Sequence, residues 1–539
     1  MSTRSIRSVL AAATCAVTTA ALALGLGGLA PSSATPAPST GVNVKQAPEP
    51  PVVPIHWTRC AGGYLHDIGA QCGVLTVPLD YSDPTGRTIN LAVSRVKHTS
   101  KIFKGAVFTN PGGPGGSGLT LSVLGAYVPG KVASRYDWYG MDPRGVGSSR
   151  PVLSCDPDYN TLDRKPYVPS SPAILSWWRD KTDTYAADCA SGEKGSGRKL
   201  LDHVRTTDNV EDYEMLRRAI GEEQITFYGF SYGTYIAQVY ATEHPDSLKA
   251  IVMDGVVDPT RVWYQANFDQ DIAFQKTVRK FYAWLADHKG TYRLGSTRAM
   301  VEKRIAALRT RLTDKPIIGV GPDELDDAIL YAGYYNLTWL QVGHALDVLK
   351  HDGNAHPVKR IYRGGAPKGD DNGYAMYLGT ICSEAPWPSD WQTWADDTWA
   401  VHDQAPFYAW GNTWFNAPCR TWPVASTDPV DVDGSEYTGP VLLLNETYDA
   451  ATPFSGALQV RQLFPTASLV EGVGGTSHAV SLYGVACTDD TVKNLLKDGS
   501  LPPRSEQDGV ADKKCPPLAP PNPRQARPVI ERPGLPLFR

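Results

Sequence analysis

The sequence predicts an α/β fold: a mostly parallel sheet with helices on both faces, interrupted by a helical insertion. Three observations predict it. Short apolar runs with strand character alternate with amphipathic stretches of helical length in the first half of the chain. The alternation resumes near the C-terminus with Pro440-Val441-Leu442-Leu443-Leu444 and Ala467-Ser468-Leu469-Val470. Between these parts, from about 259 to 422, helical patterns dominate, and ten of the 14 tryptophans fall there.

The elements follow in order. Residues 73–79 and 89–96 read as a hairpin around the turn Asp83-Pro84-Thr85-Gly86. Residues 106–108 and 138–141 read as central strands. The second runs into Asp142-Pro143-Arg144-Gly145-Val146-Gly147, where Asp142 and Arg144 are expected as a buried structural pair rather than as catalytic groups. Asp208 is expected to cap a helix whose Val210, Tyr213, Leu216 and Ile220 share one face, with Gly221 as its stop. Residues 224–228 form the next expected strand, 234–243 a helix, and 250–253 a strand ending at Asp254-Gly255. Within the insertion, 300–312 and 325–335 read as helices.

Gly229-Phe230-Ser231-Tyr232-Gly233 is the single G-x-S-x-G match, and it lies between an expected strand and an expected helix. A serine hydroxyl is a weak nucleophile at neutral pH and needs an adjacent base, exposure and donors for the oxyanion. A sharp strand-to-helix turn supplies exposure and one amide, as in the nucleophile elbow of the α/β-hydrolase fold. Asn110-Pro111-Gly112-Gly113-Pro114-Gly115-Gly116-Ser117-Gly118 follows the 106–108 strand and fits the loop that gives the second donor. The oxyanion hole is therefore expected from the amides of Tyr232 and Gly113, or its neighbour Gly112. A phosphate-binding loop is disfavoured, because no Gly-Lys-Ser/Thr follows and the spacing is not G-x-G-x-x-G.

In this fold the acid and the base follow the serine in that order. Asp449 lies just past the 440–444 strand, and His478 lies in the glycine-rich Gly474-Gly475-Thr476-Ser477-His478, after the next strand. Of the 11 histidines, no other follows a strand this late. Ser231, Asp449 and His478 are thus the expected triad. Glu446 is the alternative acid, less suited because it comes too soon after its strand.

The ends of the chain read differently. Residues 1–34 have the pattern of an export signal: Arg4 and Arg7, an apolar alanine-rich stretch, and the small-residue site Ser32-Ser33-Ala34. Residues 35–54 carry six prolines and read as a linker or pro-segment, and the tail 516–539 carries eight and reads as extended or disordered. The core is expected in two parts, 55–258 and 423–515, with the insertion 259–422 as a cap. A net charge of −4 with no basic stripe argues against nucleic acid as a partner, and no second apolar run spans a membrane. The expected place is outside the cell or in its wall.

Eight cysteines remain once Cys15 leaves with the signal, and an even number in an exported chain points to disulfides. Nearest-neighbour pairing joins Cys60 to Cys72, Cys155 to Cys189, Cys382 to Cys419 and Cys487 to Cys515. Eight cysteines allow 105 connectivities, so spacing alone leaves the pairing open. There is no CxxC and no cysteine-histidine cluster at ligand spacing, so neither metal nor cofactor is expected.

N-P-G-G-P-G-G-S-G at 110–118, D-P-R-G-V-G at 142–147, G-F-S-Y-G-T-Y at 229–235, W-Y-Q-A-N at 263–267, D-A-A-T-P at 449–453 and S-H at 477–478 together resemble secreted bacterial tripeptidyl aminopeptidases. These are α/β-hydrolases related to prolyl aminopeptidases, and the resemblance runs from about Trp57 to Cys515. It implies Ser231 as nucleophile, His478 as general base and acid, and Asp449 as orienting acid, with short peptides hydrolysed from a free N-terminus. Cys382-Ser383-Glu384 is similar to a family segment with an acid two residues after a cysteine, which makes Glu384 the candidate anchor for the peptide amine. Asp269 and Asp271 are weaker candidates. An esterase or lipase on the same scaffold needs the same triad but no amine anchor, and stands as the alternative.

Overall fold

The computed structural model describes residues 49–192 and 198–525. The expected signal, most of the proline-rich stretch after it and the end of the tail lie outside the described residues.

Among the described residues ten strands form one sheet: β1 (Thr58–Arg59), β2 (Gln71–Pro78), β3 (Thr88–Val96), β4 (Ala106–Asn110), β5 (Asp137–Met141), β6 (Ile225–Phe230), β7 (Leu248–Asp254), β8 (Val441–Glu446), β9 (Ala467–Gly472) and β10 (Lys513–Cys515). Their order across the sheet is β1-β2-β3-β5-β4-β6-β7-β8-β9-β10. The expected hairpin is the antiparallel pair β2–β3, and every pairing from β5 to β10 is parallel. Strands β4, β6 and β8 are buried along their whole length, because helices cover both faces. That two-sided burial is why their sequences are continuous apolar runs rather than alternating ones. The short β1 and β10 carry no such run and were not anticipated.

The helix expected from Asp208 begins at Thr206. Asp208 still serves its start, but from the third helical position, where its carboxylate accepts the Arg205 N–H at 3.0 Å. Asp142 and Arg144 are both buried, yet they do not pair with each other. Arg144 makes a two-pronged contact with Asp212, at 2.8 and 2.7 Å, and donates to the carbonyls of Leu79 and His203. Asp142 instead accepts the amides of Gly118, Leu119 and Ser148, and so ties the glycine-rich loop to its own.

Between β7 and β8 lies the helical insertion, with the helices Tyr264–Asp287, Arg298–Asp314, Pro322–Tyr334, Trp339–Asp352, His356–Gly365, Asn372–Glu384, Trp391–His402 and Ala409–Asn416. Its tryptophans mainly fill its own core: Trp391 stacks on Trp414 at 5.0 Å, and Trp410 and Trp339 are 2% exposed. The helix Pro172–Gly192 precedes β6 in sequence but joins this core, with Trp178 stacked on Trp414 at 5.7 Å.

Disulfides join Cys60 to Cys72, Cys155 to Cys189, Cys382 to Cys419 and Cys487 to Cys515. The last ties β10 to the helix Ala486–Asp498, and the third fastens the Asn372–Glu384 helix. The proline-rich tail, described to Gln525, lies against the insertion and ends in a 3-10 turn at Pro523–Gln525: Asn336 Nδ2 and Trp284 Nε1 donate to the carbonyls of Leu518 and Pro521.

Alkylation of the exported protein under denaturing, non-reducing conditions is expected to label none of these eight cysteines, read by intact mass. Arg144→Ala is expected to destabilise the protein by about 3–5 kcal/mol in denaturant unfolding, because it strands the Asp212 carboxylate in the interior.

Candidate active site

The carboxyl ends of five neighbouring parallel strands point to one place, the position where open α/β sheets bind ligands. The loop 110–118 leaves β4, Ser231 follows β6, Asp254 and Gly255 end β7, Asp449 follows β8, and His478 lies in the loop after β9.

Ser231 stands between β6 and the helix Tyr232–Glu243 at φ 55° and ψ −126°, a conformation that non-glycine residues seldom hold. Its N–H donates to Asp254 O at 3.0 Å and its carbonyl accepts from Thr234 N at 2.8 Å, so the bend is pinned on both sides. Gly229 packs directly on Gly233, where a β-carbon would fall 2.2 Å from the Gly233 carbonyl oxygen. Tyr232 is the first residue of its helix, so its N–H has no acceptor within the helix and points out of the helix N-terminus. Gly112 lies against this turn: a β-carbon there would be 2.8 Å from Ser231 Cβ and 3.0 Å from Tyr232 N. The Gly112 amide is already given to Asn110 Oδ1 at 2.8 Å, so of the two candidate glycines Gly113 has the amide to offer.

His478 and Asp449 are paired. His478 Nδ1 lies 2.8 Å from Asp449 Oδ2 and 3.0 Å from Oδ1, and both residues are 1% exposed. Asp449 also accepts the amides of Ala451 and Thr452 at 3.0 Å and the Thr452 hydroxyl at 2.9 Å. This leaves the carboxylate one orientation, with Nδ1–H as its donor on the ring side. The His478 ring lies over Gly255, one residue beyond the carbonyl that holds Ser231, so both residues border the same end of β7.

Glu446, the alternative acid, does not meet the imidazole. Its carboxylate accepts Ser477 N at 2.6 Å and Leu518 N at 2.7 Å, and so holds the residue before His478 in place. Asp254 does the same further on, accepting Ser481 N at 2.7 Å. Burial pushes the Glu446 carboxyl up to about 8, the two amides opposing and the charges of Asp449 and Asp254 adding. Burial likewise raises Asp254 to about 6. Neither role carries a motif, because each depends on which backbone amides a distant loop presents.

The insertion closes over this place. His478 N donates to Tyr334 O at 2.8 Å, Asn336 N to Ser477 Oγ at 3.0 Å, and Gln270 Nε2 to Ala451 O at 2.7 Å. The Trp263 ring lies 5.9 Å from that of Tyr232. Trp263 Nε1 donates to Glu384 Oε1 at 2.6 Å. Glu384 Oε2 accepts Thr206 N at 2.8 Å and Thr206 Oγ1 at 2.6 Å, and that hydroxyl also bonds the Tyr232 hydroxyl at 2.7 Å. The candidate amine anchor is therefore buried one hydroxyl away from Tyr232, and burial lifts its carboxyl to about 7 against these three donors. Asp269 is on the outside, paired with Arg261. Asp271 is buried on the Tyr264–Asp287 helix, bonded to Asn412 Nδ2 at 3.0 Å. Spacing missed Trp263 and Thr206 as neighbours of the site; the former lay within a quoted motif, the latter in none.

Residues 105–485 match the α/β hydrolase fold family. A tripeptidyl aminopeptidase of Streptomyces coelicolor is 36% identical over 488 residues, covering 87% of each chain. The serine protease Hip1 of Mycobacterium tuberculosis is 30% identical, covering 84% of this chain and 90% of its own. A carboxylesterase B of the same organism is 31% identical, covering 88% and 93%.

Three buried acids here hold their protons more tightly than they would unfolded, where carboxyls titrate near 4. Their contribution to stability is full below that range and is lost as pH rises through about 6, 7 and 8, since the unfolded chain ionises first. The thermal midpoint is expected to fall between pH 5 and pH 8, and Glu446→Gln to flatten that fall, measured by calorimetry across the range.

Proposed function

The chain belongs to the α/β-hydrolase family, among the peptidases related to tripeptidyl and prolyl aminopeptidases, and from that premise we propose that it is an exported serine exopeptidase acting on short peptides from a free N-terminus and releasing tripeptides. The observation that carries the exopeptidase reading is the closure of the site. Ser231 is 8% exposed and its two partners 1%, beneath a helical roof hydrogen-bonded to the loop that presents His478. Such a recess admits a chain end rather than the middle of a folded chain.

In this reading Ser231 Oγ attacks the scissile carbonyl while His478 Nε2 takes its proton. Asp449 keeps the Nδ1–H on its own side and stabilises the imidazolium. The oxyanion is met by the amides of Gly113 and Tyr232. The imidazolium then returns the proton to the leaving amine, and water repeats the sequence on the acyl-enzyme. No metal or cofactor enters. Glu384 receives the peptide ammonium: three of its roughly four acceptor positions are engaged by Thr206 and Trp263, and one remains. The disulfides favour an oxidising compartment, so we place the enzyme outside the cell or in its wall. The carboxylesterase B relative supports a second reading, an ester hydrolase that uses the same residues without an amine anchor.

Ser231→Ala is expected to lower kcat roughly a thousandfold or more with the melting temperature retained, and Asp449→Asn to lose activity on a similar scale. Acetylating a tripeptide anilide should lower kcat/KM on the order of ten- to a hundredfold, and Glu384→Gln should lower turnover of the free-amine substrate similarly, the two changes together costing little more than either. Equal turnover of free and blocked substrates by the wild type selects the ester hydrolase.

A further inference from the structure

Residues 84–136 contain no acid, in a chain that has 56. Five of their basic residues, Lys97, Lys101, Lys104, Lys131 and Arg135, are spread too widely to form a stripe in the sequence, but the fold gathers them. Thr99 N and Ser100 N both donate to Ser134 O at 3.0 Å, and Lys104 N donates to Arg135 O at 2.8 Å. The loop between β3 and β4 therefore lies along the segment that leads into β5. Three more cations join it. Lys249 Nζ donates to Lys104 O at 2.8 Å, Lys104 Nζ donates to Lys497 O, and the Lys493 side chain lies 4.0 Å from where a β-carbon on Gly130 would be. None of the first five is in an ion pair among the described residues: Asp137 is buried and bonded to His98, Asp490 pairs with Lys493, Asp498 with Lys497, and Glu222 faces Lys249.

Lys101-Ile102-Phe103-Lys104 is the tip of this loop. Ile102 is 56% and Phe103 45% exposed. The tip is held outward: Ile102 N donates to Ser100 Oγ at 3.1 Å, and the Phe103 ring rests 4.7 Å from that of His98, itself 2.6 Å from Asp137. A single exposed apolar side chain is common and needs no partner. Two neighbours set between lysines and bordered by further cations are complementary to an anionic bilayer, whose headgroups take the charges and whose acyl boundary takes the apolar pair. A soluble polyanion would meet the lysines and leave Ile102 and Phe103 in water. A second copy of the patch would set like charges against one another. The loop enters β4 at its amino end, whereas the glycine-rich loop and Ser231 leave from the carboxyl ends of β4 and β6. The patch and the candidate site thus occupy opposite ends of the sheet.

We propose that this patch docks the protein reversibly on an anionic lipid surface, with Ile102 and Phe103 entering the headgroup layer and the surrounding cations facing its phosphates. Docked in this way, the protein keeps its candidate site on the side away from the lipid. The inference does not depend on which bond the enzyme cleaves.

Vesicles of phosphatidylglycerol and phosphatidylcholine in equal parts are compared with vesicles of phosphatidylcholine alone, and binding of the exported protein is read by co-sedimentation at low salt. The wild type is expected to bind the first and not the second, and to be released by added salt. Lys97→Gln with Lys101→Gln is expected to weaken binding on the order of tenfold or more, since each cation near such a surface contributes several-fold. Ile102→Ser with Phe103→Ser is expected to weaken it on a similar scale, because one signal alone gives only marginal binding. Turnover of a soluble substrate should be unchanged in both variants. No binding by the wild type overturns the proposal. Full binding by the serine variant also overturns it, and marks the patch as a general polyanion site. Should a variant fail to fold, acetylation of the wild-type lysines, read by mass spectrometry, decides. Protection of Lys97 and Lys101 by the anionic vesicles supports the docking, and their full labelling in the bound state overturns it.

Discussion

The arrangement depends on a repeated interaction: a buried carboxylate accepting backbone amides of a loop that would otherwise have no fixed shape. Glu446 takes Ser477 N, Asp254 takes Ser481 N, and Asp489 takes the amides of Leu482 and Gly484, so three acids bracket the loop bearing His478. Asp142 does this for the glycine-rich loop, Asp371 for the amides of Cys155 and Asp156, and Asp512 for those of Leu469 and Ser505. Each acid satisfies donors that burial would leave without water. Hydrogen bonds of this kind are directional, so they set the loop's shape as well as its stability.

This use of acids explains what could be read from the sequence and what could not. The strands β4, β6, β8 and β9 announced themselves as apolar runs, and Ser231, Asp449 and His478 by their order and their position after strands. These are local patterns. Glu446 is the last residue of β8, and order alone left it as a rival to Asp449. The geometry separates the two by three residues of chain: Asp449 turns back to the imidazole, whereas Glu446 stays over Ser477. Arg144 and Asp142 were legible as buried and structural, but their partners, Asp212 and three amides, come from distant segments that no spacing encodes. The edge strands β1 and β10 are too short to carry a period, and Lys513 and Lys514 in the latter read as surface.

The insertion and the sheet share their most important contacts at the backbone. Tyr334 contributes a carbonyl to His478 N, Ala451 and Tyr448 contribute carbonyls to Gln270 and Thr277, and the tail joins in through Leu518, whose amide goes to Glu446 and whose carbonyl goes to Asn336. The placement of the imidazole is thereby coupled to the position of the roof. Tyr334 ends the Pro322–Tyr334 helix, so that helix bears directly on the backbone of His478.

The helix Pro172–Gly192 gives the roof an unexpected dependence. Trp178 stacks on Trp414, its indole N–H donates to the carbonyls of Lys165 and Pro166, and Tyr167 packs on it at 5.3 Å. The core of the insertion thus contains side chains from a stretch that precedes β6. Residues 259–422 are consequently not a portable module. Grafted onto another hydrolase sheet, they would arrive without Tyr167 and Trp178, and an exchange of roofs between relatives has to carry 165–192 along with them.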